Sequence, residues 1–109
     1  MKKLLFTLLI VLFSESLYSQ IVVTHFNAAW NDPNKAEWVG DLTDCDITYV
    51  DIAESPKLQQ KHKVVVVPTI IVFQDGEEVI RYQAGISFKM LATKEELQDK
   101  IDEIIMSSF

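Results

Sequence analysis

Apolar and polar residues alternate along this chain in blocks that change period. Ile21 to Phe26 (IVVTHF) is a short, mostly apolar, β-branched run, the pattern of a strand covered on both faces. Asn27 to Asn31 leaves it, and Asp32-Pro33 predicts a helix start, with Asp at the N-cap and Pro at the first helical position. Ala36, Val39 and Leu42, with Trp38, supply its packed side, and Gly40 weakens it near its end. Ile47 to Ile52 (ITYVDI) alternates and predicts a half-buried strand nearer a sheet edge. Ser55-Pro56 repeats the cap-plus-proline start for a short helix to about Lys63. Thr69 to Phe73 (TIIVF) is a second fully apolar strand. Asp75-Gly76 signals a tight hairpin, and Glu78 to Tyr82 (EVIRY) returns antiparallel until Gly85. Thr93 with Glu96 forms a capping box, and Leu97, Ile101, Ile104 and Ile105 then place one apolar face on a closing helix.

The order is β-α-β-α-β-β-α, an α/β arrangement. Strands joined through helices are expected to run parallel, with the hairpin adding an antiparallel edge. IVVTHF and TIIVF should be central, with helices covering both faces.

The first nineteen residues follow another pattern. Lys2 and Lys3 precede Leu4 to Phe13, an apolar run broken only by Thr7, and a polar stretch from Ser14 to Gln20 follows. A positive start, a short apolar core and a polar exit read as a secretory signal peptide over residues 1–19, with the domain occupying 20–109. The apolar core falls short of the ~20 residues a bilayer span needs, so no stable membrane anchor is expected once the leader is removed. No Cys follows it for lipid attachment. An uncleaved anchor or a buried helix is the alternative, but Leu4 to Phe13 lacks the polar stripe of a one-domain core helix.

The 109 residues suffice for one domain. Without residues 1–19, Lys+Arg falls from 10 to 8 and Asp+Glu from 16 to 15, giving a net charge of −7. Such an acidic domain with no basic stripe is not expected to bind nucleic acid, whose phosphates need cationic partners. The single cysteine, Cys45, excludes an intramolecular disulfide. It lies between Asp44 and Asp46, whose carboxylates disfavour a thiolate; the residue is a small half-buried side chain or, against that environment, a reactive thiol.

Three motifs, in order and at matching spacing, resemble the thioredoxin family. IVVTHFNAAWNDPN stands where that family has a strand followed by F-x-A-x-W-C-G-P-C. Phe26, Ala28, Trp30 and Pro33 match, while Asn31 and Asn34 occupy the two cysteine positions. SPKLQQKHKVVVVPT resembles the family's N-P-x-L-x-x-x-Y-x-V-x-x-x-P-T, with Pro68 at its cis-proline. FQDGEEVIRYQAG, ending at Gly85, matches its final hairpin. The resemblance covers about residues 21 to 106. It implies a thioredoxin-like fold with a central mixed four-stranded sheet flanked by helices. The family's first strand and helix would fall before Ile21, where this chain has the leader-like segment.

The resemblance also implies what has been lost. Dithiol chemistry needs a thiolate to attack a disulfide and a second thiol to release the mixed intermediate. The amides of Asn31 and Asn34 can do neither, so no catalytic residue is assigned. His25 stands where the family buries an acid; on an apolar strand it reads more readily as a hydrogen-bonded core residue than as a catalyst. His25 and Asp32 are too few ligands for a metal, and no cofactor is expected. What can survive is binding. Family members use Trp30's position as a wall of the substrate groove and the backbone at Val67's position to pair with an extended peptide. Trp30 is equally readable as core. A groove of Trp30, Asn31, Asp32, Pro33, Val67 and Pro68 for a protein or extended peptide is therefore expected, in an exported (periplasmic or secreted) bacterial module. The alternatives are an oxidoreductase acting through Cys45 and a structural subunit.

Overall fold

The computed structural model describes residues 20–108. The leader expected at 1–19 lies outside the described residues. Four strands form one mixed sheet: β1 (Ile21–Asn27), β2 (Asp46–Asp51), β3 (Thr69–Gln74) and β4 (Glu77–Gln83), in the spatial order β2-β1-β3-β4. The two runs without alternation are the central strands. β1 and β3 carry Val23, Ile70, Ile71 and Val72 at zero exposure, because both of their faces are covered.

One direction differs from expectation. β2 runs parallel to β1, but β3 runs antiparallel to β1 although a helix precedes it. The parallel-crossover rule holds only when a connection returns the chain to the same end of the sheet. Here α1 (Pro56–Lys61) is a helix of six residues. The segment after it turns through a left-handed Lys63, and β3 starts at the end of the sheet where β2 stops, so it runs reversed; the Val67–Pro68 bond in this segment is cis. The cis bond itself is what the V-P-T motif implied.

The two sheet faces have separate cores. On one, Ile21, Val23, Ile70 and Val72 pack under Val39, Leu42 and the buried side of α2 (Lys94–Ser107): Leu97, Ile101 and Ile104. That side is the apolar face read from the sequence. Thr93 caps α2 by accepting from the Glu96 N–H at 3.2 Å. On the other face Phe26 and Ile71 pack with Ala28, Val64 and Val67. Asp75 and Gly76 both take positive φ, 52° and 85°, as a two-residue type I′ hairpin requires.

The helix expected from Asp32 does not form. Its place is taken by two 3-10 turns, Ala29–Asn34 and Glu37–Asp41. Asp32 is not a cap, Ala28 is, and Pro33 lies inside the first turn. A cause lies on β1. His25 Nε2 accepts the Ala36 N–H at 3.1 Å, so that N–H is not available to the carbonyl four residues back. The chain closes with i→i+3 bonds instead, from Lys35 N to Asp32 O and from Val39 N to Ala36 O.

Candidate functional site

The C-terminal end of β1, the first 3-10 turn, the cis-proline loop and the 85–91 loop converge at one end of the sheet. The first strand sets the position. Asn27 ends β1, and its side chain donates to the Asn31 carbonyl at 3.2 Å. Asn31 then turns inward. It is 2% exposed, and every polar atom of its side chain is engaged. Its Nδ2 donates to Asn27 Oδ1 at 3.0 Å and to the Phe88 carbonyl at 3.1 Å, with the Val67 carbonyl also in reach at 3.3 Å. Its Oδ1 accepts from Asn34 Nδ2 at 2.9 Å. One amide therefore ties together segments that are far apart in sequence. A buried amide this fully paired is a structural knot.

The cis-proline loop is braced independently. Thr69 Oγ1 donates to the Val66 carbonyl at 2.7 Å, and the Ala84 N–H donates to the Pro68 carbonyl at 3.0 Å. Arg81, paired with Glu78, donates from Nη2 to the His62 carbonyl at 2.8 Å. The Val67 side chain is buried, and its N–H has no partner among the described residues.

Trp30 is 65% exposed, which excludes the core role that the sequence left open. Its ring meets Phe88 edge-on at a centroid distance of 5.3 Å. Phe88 was not singled out by the sequence. Its backbone is left-handed, φ 61°, a conformation costing a bulky residue roughly 1–2 kcal/mol. The Asn31 amide on the Phe88 carbonyl helps hold it there. A cue was present: Ile86, Phe88 and Leu91 follow Gly85 in a segment that belongs to no strand, and all three are exposed.

The six predicted groove residues thus separate. Trp30, Asp32 and Pro33 lie on the surface. Asn31 fills the floor instead of lining a wall, and Val67 and Pro68 are buried beside it, with Asn31 reaching the Val67 carbonyl. Asn34 is half-buried against Asn31. At Val67, where free N–H and C=O groups were expected, the N–H has no partner among the described residues and the carbonyl is in reach of the Asn31 amide.

Two titratable groups complete the picture. His25 is buried, and burial holds its pKa below the usual histidine value. Accepting at Nε2 leaves the proton on Nδ1, so the ring is neutral. It packs against Tyr49 at 5.8 Å. That is the hydrogen-bonded core role. Burial pushes the Cys45 thiol up, reinforced by Asp46 and Asp44, which keeps it protonated. Among the described residues, no group of three His, Cys, Asp or Glu side chains could hold a metal, and no helix is long and apolar enough to cross a membrane.

A mixed sheet with a cis-proline loop beside the turn after its first strand defines a thioredoxin-type domain. The thioredoxin family model matches residues 12–103, and the chain belongs to that family. Thioredoxin of Staphylococcus haemolyticus is 36% identical over 74 residues, covering 62% of this chain and 71% of the relative. That of Chlamydia trachomatis is 35% identical over 75 residues, covering 63% and 74%. Among solved structures, a mutant thioredoxin from Halobacterium salinarum superposes with a TM-score of 0.62 at 26% identity, covering 79% of this chain and 75% of that one. Schistosoma mansoni thioredoxin gives 0.62 at 22% identity, covering 79% and 78%, a likeness of fold.

Proposed function

We propose that this domain is an exported thioredoxin-family module that binds an extended segment of a partner protein and carries out no dithiol–disulfide exchange. The observation that carries the reading is the Asn31 amide. It occupies the position of the nucleophilic sulfur, is buried, and has its hydrogen bonds filled from within the protein. Chemistry at that position needs an exposed, ionisable group; this one is neither.

The recognition half of the site supports the binding role. Trp30 and the left-handed Phe88 present an apolar, edge-to-face pair at the surface beside the Val67 N–H, which has no partner among the described residues. An incoming strand can accept that N–H and rest an apolar side chain on the pair. Phe88 takes the left-handed position of a tight turn, its N–H donating to the Gly85 carbonyl at 3.0 Å and the Gly85 N–H to the Lys89 carbonyl at 3.2 Å, and this turn sets its ring at the surface. The Val67 carbonyl is reached by an amide with three acceptors for two hydrogens, so an incoming N–H could take its place at little cost.

Two measurements test this. In a turnover assay with dithiothreitol and a protein disulfide, the wild-type rate should equal the uncatalysed rate; a clear excess that survives Cys45→Ala would refute the reading. Peptides selected from a displayed random library against the protein should lose binding to Trp30→Ala. That variant should fold with a loss of about 0.5–1.5 kcal/mol, the worth of one exposed aromatic pair. Selected peptides that bind Trp30→Ala at wild-type affinity would remove the groove.

A further inference from the structure

A second surface, the outer edge of β2, adjoins the groove through Asp32 but is made of other backbone groups. β2 is the last strand on its side of the sheet, pairing among the described residues only with β1. The Ile52 N–H donates to the Asn27 carbonyl at 2.9 Å, so the backbone of Ile52 faces β1. Alternation then turns Val50 and Thr48 toward β1 and Ile47, Tyr49 and Asp51 away from it. The N–H and C=O of Ile47 and Tyr49, and the N–H of Asp51, have no partner among the described residues. The Asp51 carbonyl closes the following turn by accepting from Ser55 and Glu54.

This edge has a charge. Asp46 and Asp51 bracket it, Asp44 and Glu54 extend it, and none of the four is in an ion pair among the described residues. No Lys or Arg lies on β2. Beside Tyr49 and Asp51 the edge opens into a shallow cleft of about 500 Å³ whose lining includes the Asp32–Lys35 ion pair, so the uncompensated charge is that of the strand's own aspartates. Tyr49 itself is 63% exposed.

We infer that the outer edge of β2 docks an extended, basic segment of another protein, which adds a fifth strand to the sheet. Unpaired backbone groups supply the ladder, and the two aspartates fix the partner's chemistry: cationic side chains five positions apart, flanking β-forming residues. A second copy of this chain fits poorly. In the two-fold register centred on Tyr49, Asp51 of one copy lies opposite Ile47 of the other, one residue from Asp46, and this repeats at both ends. Such like-charge approach opposes pairing. The inference does not depend on the Trp30 groove, and the two fail separately.

The test is an NMR titration of the protein with a blocked KTVTVK peptide and its ETVTVE counterpart. The lysine peptide should shift and protect the amides of Ile47, Tyr49 and Asp51, bind at least fivefold more tightly than the glutamate peptide, and weaken with salt. Asp46→Asn with Asp51→Asn keeps the acceptor on the Ala53 N–H and should erase most of that preference. Tyr49→Pro removes an outward N–H while leaving the β1 ladder intact, and should abolish binding; if it fails to fold, the asparagine pair still decides. Four results overturn the inference. They are no binding, equal binding of both peptides, shifts confined to Trp30, Ile86 and Phe88, and exchange protection of the Ile47 and Tyr49 amides in the free protein. The last would mean that residues 1–19 or a second copy already occupy the edge.

Discussion

Replacing Asn31 with alanine should be among the costlier single changes on this end of the molecule. The side chain is 2% exposed and makes three short hydrogen bonds: to Asn27 Oδ1 at 3.0 Å, to the Phe88 carbonyl at 3.1 Å and from Asn34 Nδ2 at 2.9 Å. Each is worth about 0.5–1.5 kcal/mol net, and a partner left buried without water costs more. Asn27 is buried, whereas the bonds to Phe88 and Asn34 are only partly so, and water can repair those two. The expected loss is therefore about 2–4 kcal/mol. At 0.05–0.15 kcal/mol per residue, a domain of this size has roughly 4–13 kcal/mol in all. Urea denaturation followed by circular dichroism should show the midpoint falling with an unchanged slope. Asn31→Asp sharpens the reasoning. A carboxylate cannot donate, and it would face the Phe88 and Val67 carbonyls and Asn27 Oδ1. Its folded-state pKa should lie above that of the unfolded chain, near 3.9. It should thus be worse than alanine at neutral pH and recover as the pH falls toward that value, since the protonated form can donate. A loss under about 1 kcal/mol for Asn31→Ala, or no acid recovery for Asn31→Asp, would refute the knot.

Three further outcomes are expected. His25 is held neutral by burial, so the unfolded chain takes up its proton first as the pH falls through 6.5; stability should be flat above that value and decline below it, by no more than about 1.4 kcal/mol per pH unit for this proton. Urea midpoints at pH 7.5 and 5.5 check this, and a decline equally steep in His25→Gln would deny the histidine a part. Cys45, with its thiol pushed up by partial burial, should react with iodoacetamide more slowly in the folded protein than in urea at the same pH; equal rates would contradict its half-buried, protonated state. Asn31→Cys with Asn34→Cys should form an internal disulfide on oxidation, because these two side chains already meet at 2.9 Å, and persistent free thiols would show that they do not.

The elements were legible where the signal is local. IVVTHF and TIIVF are apolar without alternation and are the central strands. Asp75-Gly76 takes the two positive φ values its composition requires, and Thr93 caps the helix that its capping box predicts. What was hidden depends on contacts between distant segments. Asp32-Pro33 carries a sound helix-start signal, yet His25, on the preceding strand, captures the Ala36 N–H. The reversal of β3 depends on how a short helix and a proline loop deliver the chain. Asparagine is mostly a surface residue, so nothing local marks Asn31 as buried; its partners are Asn27, Asn34, Val67 and Phe88.

On the function proposed above, the replacement of two thiols by two amides suits this site to binding in a definite physical sense. A redox site must keep a reactive atom accessible and tolerate two covalent states, so it cannot fill its hydrogen bonds with fixed internal partners. Asn31 fills its hydrogen bonds with Asn27, Asn34 and Phe88, which ties this end of the domain together. Rigidity is unhelpful to a dithiol exchanger but useful to a binding surface, because a preorganised groove spends less of its contact energy on ordering. The Asn31 amide also helps hold the Phe88 backbone in its left-handed state, with the ring set against Trp30. The Asn31 side chain thus reaches the aromatic pair through the Phe88 carbonyl, so a variant with thiols at 31 and 34 should loosen the Trp30–Phe88 contact, measurable as a change in Trp30 fluorescence against a Trp38→Phe background.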